Sequence, residues 1–113
     1  TDTSFITAWA NDTSYETIFS RQIQGLGKEG DVLVAISTSG NSVNVINAIH
    51  SAIMKKMKVI ILTGETAGKM KDLGDIRICI PSNNTQRIQE GHLLVEHILC
   101  ESIEASILNN ETF

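Results

Sequence analysis

The sequence has 113 residues, 42% of them hydrophobic, which is enough for the core of one domain but not of two. Nine Lys and Arg residues against 13 Asp and Glu residues give a net charge of -4 without any basic run, so nucleic acid is not expected as a partner. No apolar stretch approaches the ~20 residues of a membrane span and no signal-peptide pattern begins the chain, so we expect a cytoplasmic protein that does not enter a membrane.

The first part of the chain is predicted to be helical. The Thr-x-x-Glu pattern from Thr13 to Glu16 has the form of a capping box, which predicts a helix that starts there and runs through Ile18 and Ile23. Trp9, upstream of this start, is interpreted as a core or interface residue.

The remainder of the chain alternates strands and helices. A run rich in branched residues at 31–37 predicts a strand buried on both faces. Apolar residues at three- and four-residue steps predict a helix over residues 42–56. Further strands are predicted at residues 58–63 and 76–80, with a short helix between them and a long helix at residues 85–108. This order predicts an α/β fold with a parallel sheet flanked by helices.

The number of predicted strands is small for such a fold. No strand with a phosphate-binding loop precedes the first helices, and three strands are few for an α/β domain. We therefore expect residues 1–113 to form a partial domain that lacks its N-terminal portion.

Two cysteines lie in apolar or helical patterns. Cys79 and Cys100 lack the paired spacing of a zinc site or of a disulfide framework. We expect both to be buried thiols of a protein in a reducing compartment.

Two glycine-rich segments look like nucleotide-binding motifs but do not fit them. Residues 25–30 match the dinucleotide fingerprint, yet they follow a helix and precede a strand, which is the reverse of the required order. Residues 64–70 have one residue too few between the glycines for a P-loop and no hydroxyl after Lys69. We interpret the two segments as a helix stop with a turn and as a loop leading into a short helix, and expect no nucleotide cofactor.

Residues 37–42, Ser-Thr-Ser-Gly-Asn-Ser, lie between a predicted parallel strand and the next helix and are here called the serine loop. Ligands bind at that edge of open α/β sheets. Four hydroxyls, a glycine that permits close backbone approach and the free N–H groups of a helix start suit a phosphate monoester. The alternative is an ordinary loop capped by a serine. The density of hydroxyls favours phosphate.

The start of the last helix carries unexpected polar residues. At 100° per residue, His92 and His97 lie about 140° apart around the helix axis, so the two histidines are poorly placed to share a metal. Gln89 and His97 lie about 80° apart and could reach one site. A histidine beside apolar helix positions is either a hydrogen-bonded structural residue or a group that transfers protons near neutral pH, and the pattern leaves both roles open.

Together, these segments resemble the phosphoheptose isomerase family, whose subunits have the sugar isomerase (SIS) fold, a flavodoxin-like sheet between two helical layers. The similarity covers essentially the whole chain and corresponds to the C-terminal three-fifths of a family subunit. The segments that carry it are Ala-Asn-Asp at residues 10–12, Ser-Thr-Ser-Gly-Asn-Ser at 37–42, Leu-Thr-Gly at 62–64, Gly-Lys-Met at 68–70, and Arg-Ile-Gln-Glu at 87–90 with His97.

The resemblance implies roles for individual residues. It implies that Gln89 and His97 face the reacting carbons, with His97 as one member of the acid/base pair. Asn11 and Asp12 are implied to contact sugar hydroxyls. Some members bind zinc through this glutamine and histidine, which makes Gln89 and His97 the implied metal ligands. The implied phosphate ligands are Ser37, Thr38, Ser39 and Ser42.

The resemblance also identifies what the chain lacks. An earlier helix of the family, which carries the catalytic glutamate and two further zinc ligands, has no counterpart here. Family members are tetramers whose sites form between subunits, so a homo-oligomer is expected. Residues 65–67 are Glu-Thr-Ala where many members have further glycine, and we expect little effect because this loop should lie away from the matched site residues.

The implied reaction converts sedoheptulose 7-phosphate to D-glycero-D-manno-heptose 7-phosphate, a step towards the heptose of bacterial lipopolysaccharide. This chain alone is expected to be inactive, because one histidine cannot carry out both proton transfers efficiently. Two other functions stay open: a non-catalytic relative that promotes replication initiation through protein contacts, and a sugar-phosphate-sensing module. His97 argues against the first, and the lack of a DNA-binding segment argues against the second.

Overall fold

The structure is a computed structural model and describes residues 2–109. Its regular elements alternate as the sequence predicts, with short 3-10 helices in two of the connections. In chain order the elements are α1 (Thr3–Asp12), α2 (Ile18–Leu26), β1 (Val32–Ile36), α3 (Val43–Met54), β2 (Lys58–Thr63), β3 (Ile76–Cys79) and α4 (Thr85–Asn109), with the 3-10 helices at Tyr15–Thr17 and Gly68–Met70.

The three strands form one parallel sheet in the order β1-β2-β3. Leu33 pairs with Val59 in the first ladder, and Ile61 pairs with Arg77 in the second. Parallel neighbours require crossover connections, and α3 and the segment around the second 3-10 helix provide them. The prediction of a parallel α/β sheet is confirmed.

The core lies between the sheet and the helices α2 and α3. Ile49 and Ala52 of α3 and Val59 and Ile61 of β2 are completely buried and belong to one cluster with Ala35. Branched side chains on the pleated sheet and one apolar stripe of α3 produce this contact. The partly buried residues Ile23, Leu33, Val45, Ile46 and Leu73 extend the cluster.

The opposite face of the sheet is only partly covered. Leu62 is completely buried on that face, where the first turns of α4 pass over the ends of the strands. By contrast, Val32, Val34 and Ile36 of β1 are 56%, 41% and 40% exposed. The prediction that this strand is buried on both faces is therefore wrong for the described residues, because α4 does not extend over β1.

The capping box predicted at residues 13–16 does not form. Thr13 instead ends α1, with its N–H donating to the carbonyl oxygen of Trp9 at 2.8 Å. Ser14 has the extended backbone that a capping residue needs, and its hydroxyl accepts from the N–H of Glu16. Ser14 thus caps the 3-10 helix at Tyr15–Thr17, and α2 begins after it at Ile18, with Thr17 in the capping position but no side-chain capping bond. The prediction of the helix is correct, and the prediction that Thr13 caps it is wrong.

Trp9 is half-buried between the first two helices. Its indole N–H donates to the hydroxyl of Thr17 at 2.9 Å, and its ring stacks on Phe5 at 6.0 Å between centroids. The guanidinium of Arg21 lies 5.6 Å from the ring centroid, a cation–π distance. These contacts attach α1 to α2. Of the two interpretations of Trp9, a core residue or an interface residue, the core is not what the structure shows, because Trp9 lies outside the core cluster.

The glycines at residues 25–30 form a helix stop and a turn, as predicted. The N–H of Gly27 donates to the carbonyl oxygen of Ile23 and closes α2. Gly30 has a positive φ of 88°, a conformation that glycine adopts without strain. This segment therefore connects α2 to β1.

Both cysteines are free and exposed. Cys79 lies on β3, the last strand of the sheet, and Cys100 lies on the part of α4 that extends beyond the strands. The prediction of buried thiols is wrong because both positions lack a covering element in the described part of the chain.

In residues 2–109, no helix combines the length and the hydrophobicity needed to cross a bilayer.

Candidate functional site

Three loops meet at the carboxyl end of the sheet and build the candidate site. The serine loop follows β1, residues 64–67 follow β2, and residues 80–84 lead from β3 into α4. Because parallel strands end at one edge, the sequence places all three loops together. Backbone hydrogen bonds lock them, from Gly64 N–H to the Thr38 carbonyl at 3.1 Å and from Glu65 N–H to the Ser82 carbonyl at 3.2 Å.

The serines of the serine loop hold it in shape. The hydroxyls of Ser37 and Ser42 lie 2.8 Å apart and share a hydrogen bond. The hydroxyl of Ser37 also accepts from the N–H of Gly40 at 3.1 Å, and that of Ser39 accepts from the N–H of Asn41 at 3.1 Å. Three of the four predicted phosphate ligands thus also organise the loop that presents them.

Ser42 precedes α3 but does not cap it. Its side chain makes no capping hydrogen bond, because it turns towards Ser37 instead. A serine cap would have used one of the N–H groups that a helix start leaves without a partner. The serine cap of the alternative interpretation is therefore absent, and among the described side chains only that of Asn44 accepts from the start of α3, from the N–H of Val45 at 2.8 Å.

Gly40 is needed for contact with a neighbouring loop. It has a φ of 72°, and a Cβ atom added to it would lie 2.0 Å from the carbonyl oxygen of Ala67. The sequence predicted that this glycine lets the backbone come close to a ligand. In the structure, the group that comes close to Gly40 is the backbone of the loop after β2.

The loop after β2 is part of the same structure as the serine loop. The N–H of Lys69 donates to the side-chain oxygen of Asn41 at 2.9 Å, and the N–H of Met70 donates to the Gly40 carbonyl. Glu65 and Thr66 line a cavity of about 230 Å³ together with Thr38, Ser39, Ser82, Asn83, Thr85 and Ile88. The expectation that residues 65–67 lie away from the site residues is wrong, because adjacent parallel strands end side by side.

The main candidate site is a cleft of about 510 Å³ between the serine loop and α4. Its volume is in the range of small-molecule sites. No Lys or Arg is among the described residues that line it, so hydroxyls and backbone N–H groups would have to bind an anion there. The lining residues are Ile36, Ser37, Thr38, Ser42, Gln89, His92, Leu93 and Glu96.

The cleft joins some of the predicted site residues and leaves others outside. Gln89 faces the hydroxyls of the serine loop across it, while Ser39 lines only the smaller cavity. His97 is exposed and does not line either cavity. Asn11 and Asp12 lie exposed in the last turn of α1. The sugar contacts of that pair and the catalytic role of His97 stay predictions.

Glu96 and Leu93 are lining residues that the sequence pattern alone did not single out. They follow Gln89 at steps of seven and four residues, so they lie on one face of α4. That spacing could have placed them beside Gln89. His97 is one residue further, which turns it about 100° away from Glu96 around the helix axis.

His92 is a buried histidine between α4 and the sheet. It is 3% exposed, and its Nε2 lies 2.8 Å from the carbonyl oxygen of Thr63. Of the two roles that the sequence left open for histidines of this helix, hydrogen bonding to the backbone is the one seen at His92.

The described residues offer an incomplete set of metal ligands. Within residues 2–109, no group of three or more His, Cys, Asp and Glu side chains is placed to hold a metal ion. Structural and catalytic zinc sites use at least three protein ligands. Gln89 lines the cleft and His97 does not, so the zinc ligands implied by the family resemblance stay a prediction.

Comparison with known proteins identifies similar sequences. The family model described as SIS domain matches residues 2–64, more than half of the chain. A protein of Shewanella sp. (strain ANA-3) and one of Shewanella baltica (strain OS155), both named phosphoheptose isomerase, are 56% identical over 110 residues, 95% of this chain. The chain spans 56% of the length of each of these relatives.

Solved structures show the same architecture. A phosphoheptose isomerase from Neisseria gonorrhoeae superimposes with a TM-score of 0.88 at 47% identity, over 93% of this chain and 59% of that one. A phosphoheptose isomerase from Francisella tularensis gives 0.85 at 41% identity, over 88% of this chain and 54% of that one. The three-layer fold inferred from the motifs is confirmed by these similarities, and so is the resemblance itself.

Proposed function

The chain belongs to the SIS domain family, and from this premise we propose that it forms part of an aldose-ketose isomerase. The substrate of this proposal is sedoheptulose 7-phosphate and the product is D-glycero-D-manno-heptose 7-phosphate, a precursor of lipopolysaccharide heptose. The observation that carries the proposal is the cleft in which Ser37, Thr38 and Ser42 face Gln89 across a space the size of a small molecule.

The phosphate group binds at the serine loop in this proposal. The hydroxyls of Ser37 and Ser42 converge within 2.8 Å of each other, and the N–H groups at the start of α3 are not used by a serine cap. Helix N-termini attract anions through these N–H groups and through the helix dipole. Thr38 and Ser39 supply further hydroxyls, and binding at the phosphate holds the sugar in a fixed position for reaction.

The reacting carbons lie further along α4. Isomerisation requires removal of a proton from C1 of the ketose and delivery of a proton to C2, with an enediolate between the two steps. We assign one of these transfers to His97, with Gln89 orienting the sugar oxygens. Asn11 and Asp12 contact sugar hydroxyls in this assignment, which requires a subunit arrangement that brings α1 to the cleft.

Zinc binding is a separate part of the proposal. Gln89 and His97 would hold the ion together with donors beyond those in residues 2–109. A bound zinc ion supplies Lewis-acid polarisation of a carbonyl oxygen. Zinc content after dialysis, compared between the unsubstituted protein and a Gln89→Leu variant, tests the assignment without an activity measurement.

The protein is proposed to act in the cytoplasm as a homo-oligomer, a tetramer by analogy with its family. Leu94 and Ile98 on α4 are 61% and 52% exposed, and exposed apolar surfaces of this kind mark association sites. Two free thiols, Cys79 and Cys100, suit a reducing compartment. Sedimentation of the chain and of a Leu94→Gln/Ile98→Gln variant tests association, which the substitutions should weaken.

The isomerase proposal is tested with a fusion protein, here called the Shewanella fusion. It joins this chain to the segment that precedes the matched region in the Shewanella sp. (strain ANA-3) relative. The fusion should convert sedoheptulose 7-phosphate to the aldose, measured by chromatography of the sugar phosphates. Binding of the sugar phosphate without turnover would favour a sensing module, and absence of both would favour a protein that acts through protein contacts.

A further inference from the structure

The hydrogen bond between His92 and Thr63 fixes the tautomer of a buried histidine. The Nε2 atom of His92 lies 2.8 Å from the Thr63 carbonyl oxygen, and a carbonyl oxygen only accepts hydrogen bonds. Nε2 therefore carries the proton. The other ring nitrogen, Nδ1, is buried and has no hydrogen-bond partner among the described residues.

Stability alone gives little reason for a histidine at this position. The Thr63 carbonyl oxygen also accepts from the N–H of Ile80 at 3.0 Å, so it would stay hydrogen-bonded without His92. A buried acceptor such as Nδ1 without a partner is unfavourable. A leucine would fill a similar volume without an unpaired nitrogen.

The location of this hydrogen bond connects it to the candidate site. Thr63 ends β2 next to the first residue of the serine loop, where the N–H of Ser37 donates to the Leu62 carbonyl at 3.0 Å. His92 lies one helical turn after Gln89 on α4, and both line the cleft. The bond thus joins the helix that carries Gln89 to the sheet edge that carries the phosphate-binding hydroxyls.

Other contacts of α4 with the sheet edge are apolar and less directional. The side chain of Ile88 packs where a Cβ atom on Gly64 would be, and that of Ile80 packs against Gly91. Within residues 2–109, the bond from His92 is the only hydrogen bond that joins α4 to a strand. Apolar packing tolerates small rotations of a helix, whereas a hydrogen bond loses strength when its angle changes.

We propose that His92 is a positioning residue for the isomerase reaction: its Nε2–H, bound to the Thr63 carbonyl, sets the rotation of α4 that turns Gln89 towards the serine loop. The inference rests on the proposed function of the cleft. His92 does not exchange a proton with the sugar in this arrangement.

Two variants separate positioning from packing. His92→Leu removes the donor and keeps the apolar volume, whereas in His92→Gln the amide N–H can take the place of Nε2–H. Both variants should melt within about 3 °C of the unsubstituted chain, because no backbone group loses its last partner. In the Shewanella fusion, His92→Leu should lower kcat about tenfold or more with KM changed less than about threefold, since orientation is lost while phosphate binding is kept. His92→Gln should restore kcat to within about threefold of the unsubstituted fusion.

Two measurements on the 113-residue chain test the role of His92 without a turnover assay. Imidazole nitrogen NMR should show His92 with Nε2 protonated and Nδ1 unprotonated. Amide hydrogen exchange in the first two turns of α4 should be faster in His92→Leu than in His92→Gln. Unchanged kcat and unchanged exchange in His92→Leu, or a proton on Nδ1 only, would overturn the inference. If the unsubstituted fusion has no turnover, the proposed function fails, and the tautomer and exchange data decide alone whether His92 orients α4.

Discussion

On the face of the sheet that α2 and α3 cover, Ile49, Val59 and Ile61 are completely buried, whereas on the opposite face Val32 and Val34 are 56% and 41% exposed. The covered face is made by segments that follow one another in the chain, so this part of the molecule completes its own core. The face towards α4 is contacted mainly at the carboxyl edge of the strands, by the first turns of a 25-residue helix.

The candidate site includes residues from both the well-packed part of the molecule and the less covered helix α4. The serine loop belongs to the well-packed part, where hydrogen bonds from the loop after β2 lock it. Gln89 and His97 belong to α4, which is anchored near Ile88 and His92 and exposed at residues 100–109. The half of the site that we propose to bind phosphate can therefore form within this chain, while the half that we propose to transfer protons depends on how α4 is held.

The largest effect on turnover is expected when the chain is tested alone, without the N-terminal segment of the Shewanella relative. The 113-residue chain should bind inorganic phosphate weakly and show no turnover of sedoheptulose 7-phosphate, because a single histidine cannot carry out both proton transfers efficiently. Calorimetry measures the binding, and chromatography of the sugar phosphates measures the turnover. Adding the separately produced N-terminal segment of the Shewanella relative should recover activity. Full activity of the chain alone would contradict the prediction that the second acid/base group lies outside residues 1–113.

Gly40→Ala should cause a larger loss of stability than any other glycine substitution in the loops. The added Cβ would lie 2.0 Å from the Ala67 carbonyl oxygen, at a φ of 72°. We expect the free energy of unfolding to fall by about 3 kcal/mol or more, since backbone cannot yield as a side chain can. Urea denaturation measures the change.

Gly30→Ala is the matched control for Gly40→Ala. Gly30 also has a positive φ, of 88°, but nothing lies within 4 Å of its added Cβ. Gly30→Ala should lower the free energy of unfolding by only about 1 to 2 kcal/mol, which is the strain of the left-handed conformation itself. If both variants lost the same free energy of unfolding, the contact between the serine loop and the loop after β2 would contribute nothing to stability.

His97→Gln tests the less anchored half of the site. In the Shewanella fusion, turnover should fall by about 100-fold if the imidazole is a general acid or base. His50→Gln is the control, because His50 is an exposed histidine on α3 outside both cavities. Turnover within a few-fold of the unsubstituted fusion would mean that His97 transfers no proton in the reaction.

Ser37→Ala and Ser39→Ala test the well-packed half. Each substitution removes a hydroxyl implied to contact phosphate. Ser37→Ala also removes the hydrogen bonds to Gly40 N–H and to the Ser42 hydroxyl, and Ser39→Ala removes the bond to Asn41 N–H. Affinity for sugar phosphate should fall about tenfold for each variant, the equivalent of one lost hydrogen bond to a charged group. Calorimetry of the fusion measures this, with Ser106→Ala on the exposed end of α4 as the control. Unchanged affinity in both variants would remove the loop from the site.

The sequence predicted the strands and helices well because apolar spacing and branched residues decide them locally. The strand at residues 58–63 and the start of α4 at Thr85 agree with the structure to the residue. The serine loop was found for the same reason, since its position between strand and helix is a local property. Local pattern also explains the error at Thr13, because a capping box cannot reveal that this residue is the C-terminal cap of the preceding helix.

Properties that depend on tertiary neighbours were predicted less well. The exposure of Cys79 and of β1 depends on which elements cover the sheet, and an apolar run does not carry that information. The contact of residues 65–67 with the serine loop follows from the pairing of β1 with β2, which a match of short motifs does not reveal. His92 needed its partner Thr63, 29 residues away in the chain, to show its role.

The smallest effect is expected at Gly91, where α4 approaches the end of β3. A Cβ atom added to Gly91 would lie 2.8 Å from the Cδ1 atom of Ile80, a flexible side chain that can move. Alanine is favoured over glycine within a helix by about 1 kcal/mol. In Gly91→Ala, this gain in the free energy of unfolding should be offset by a similar loss from the contact with Ile80. Gly25→Ala in α2 has the same helical gain with nothing within 4 Å of the added Cβ.

The difference between the two glycine variants therefore measures how firmly α4 is packed on the sheet edge. Urea denaturation should show Gly25→Ala stabilised by about 0.5 to 1 kcal/mol and Gly91→Ala changed by less than about 0.5 kcal/mol. An equal gain in both variants would mean that α4 moves away from Ile80 without cost, and that the contact at this point does not fix the helix. The bond from His92 to Thr63 would then be the remaining directional restraint on the orientation of Gln89, because the apolar packing beside it would offer no resistance to rotation.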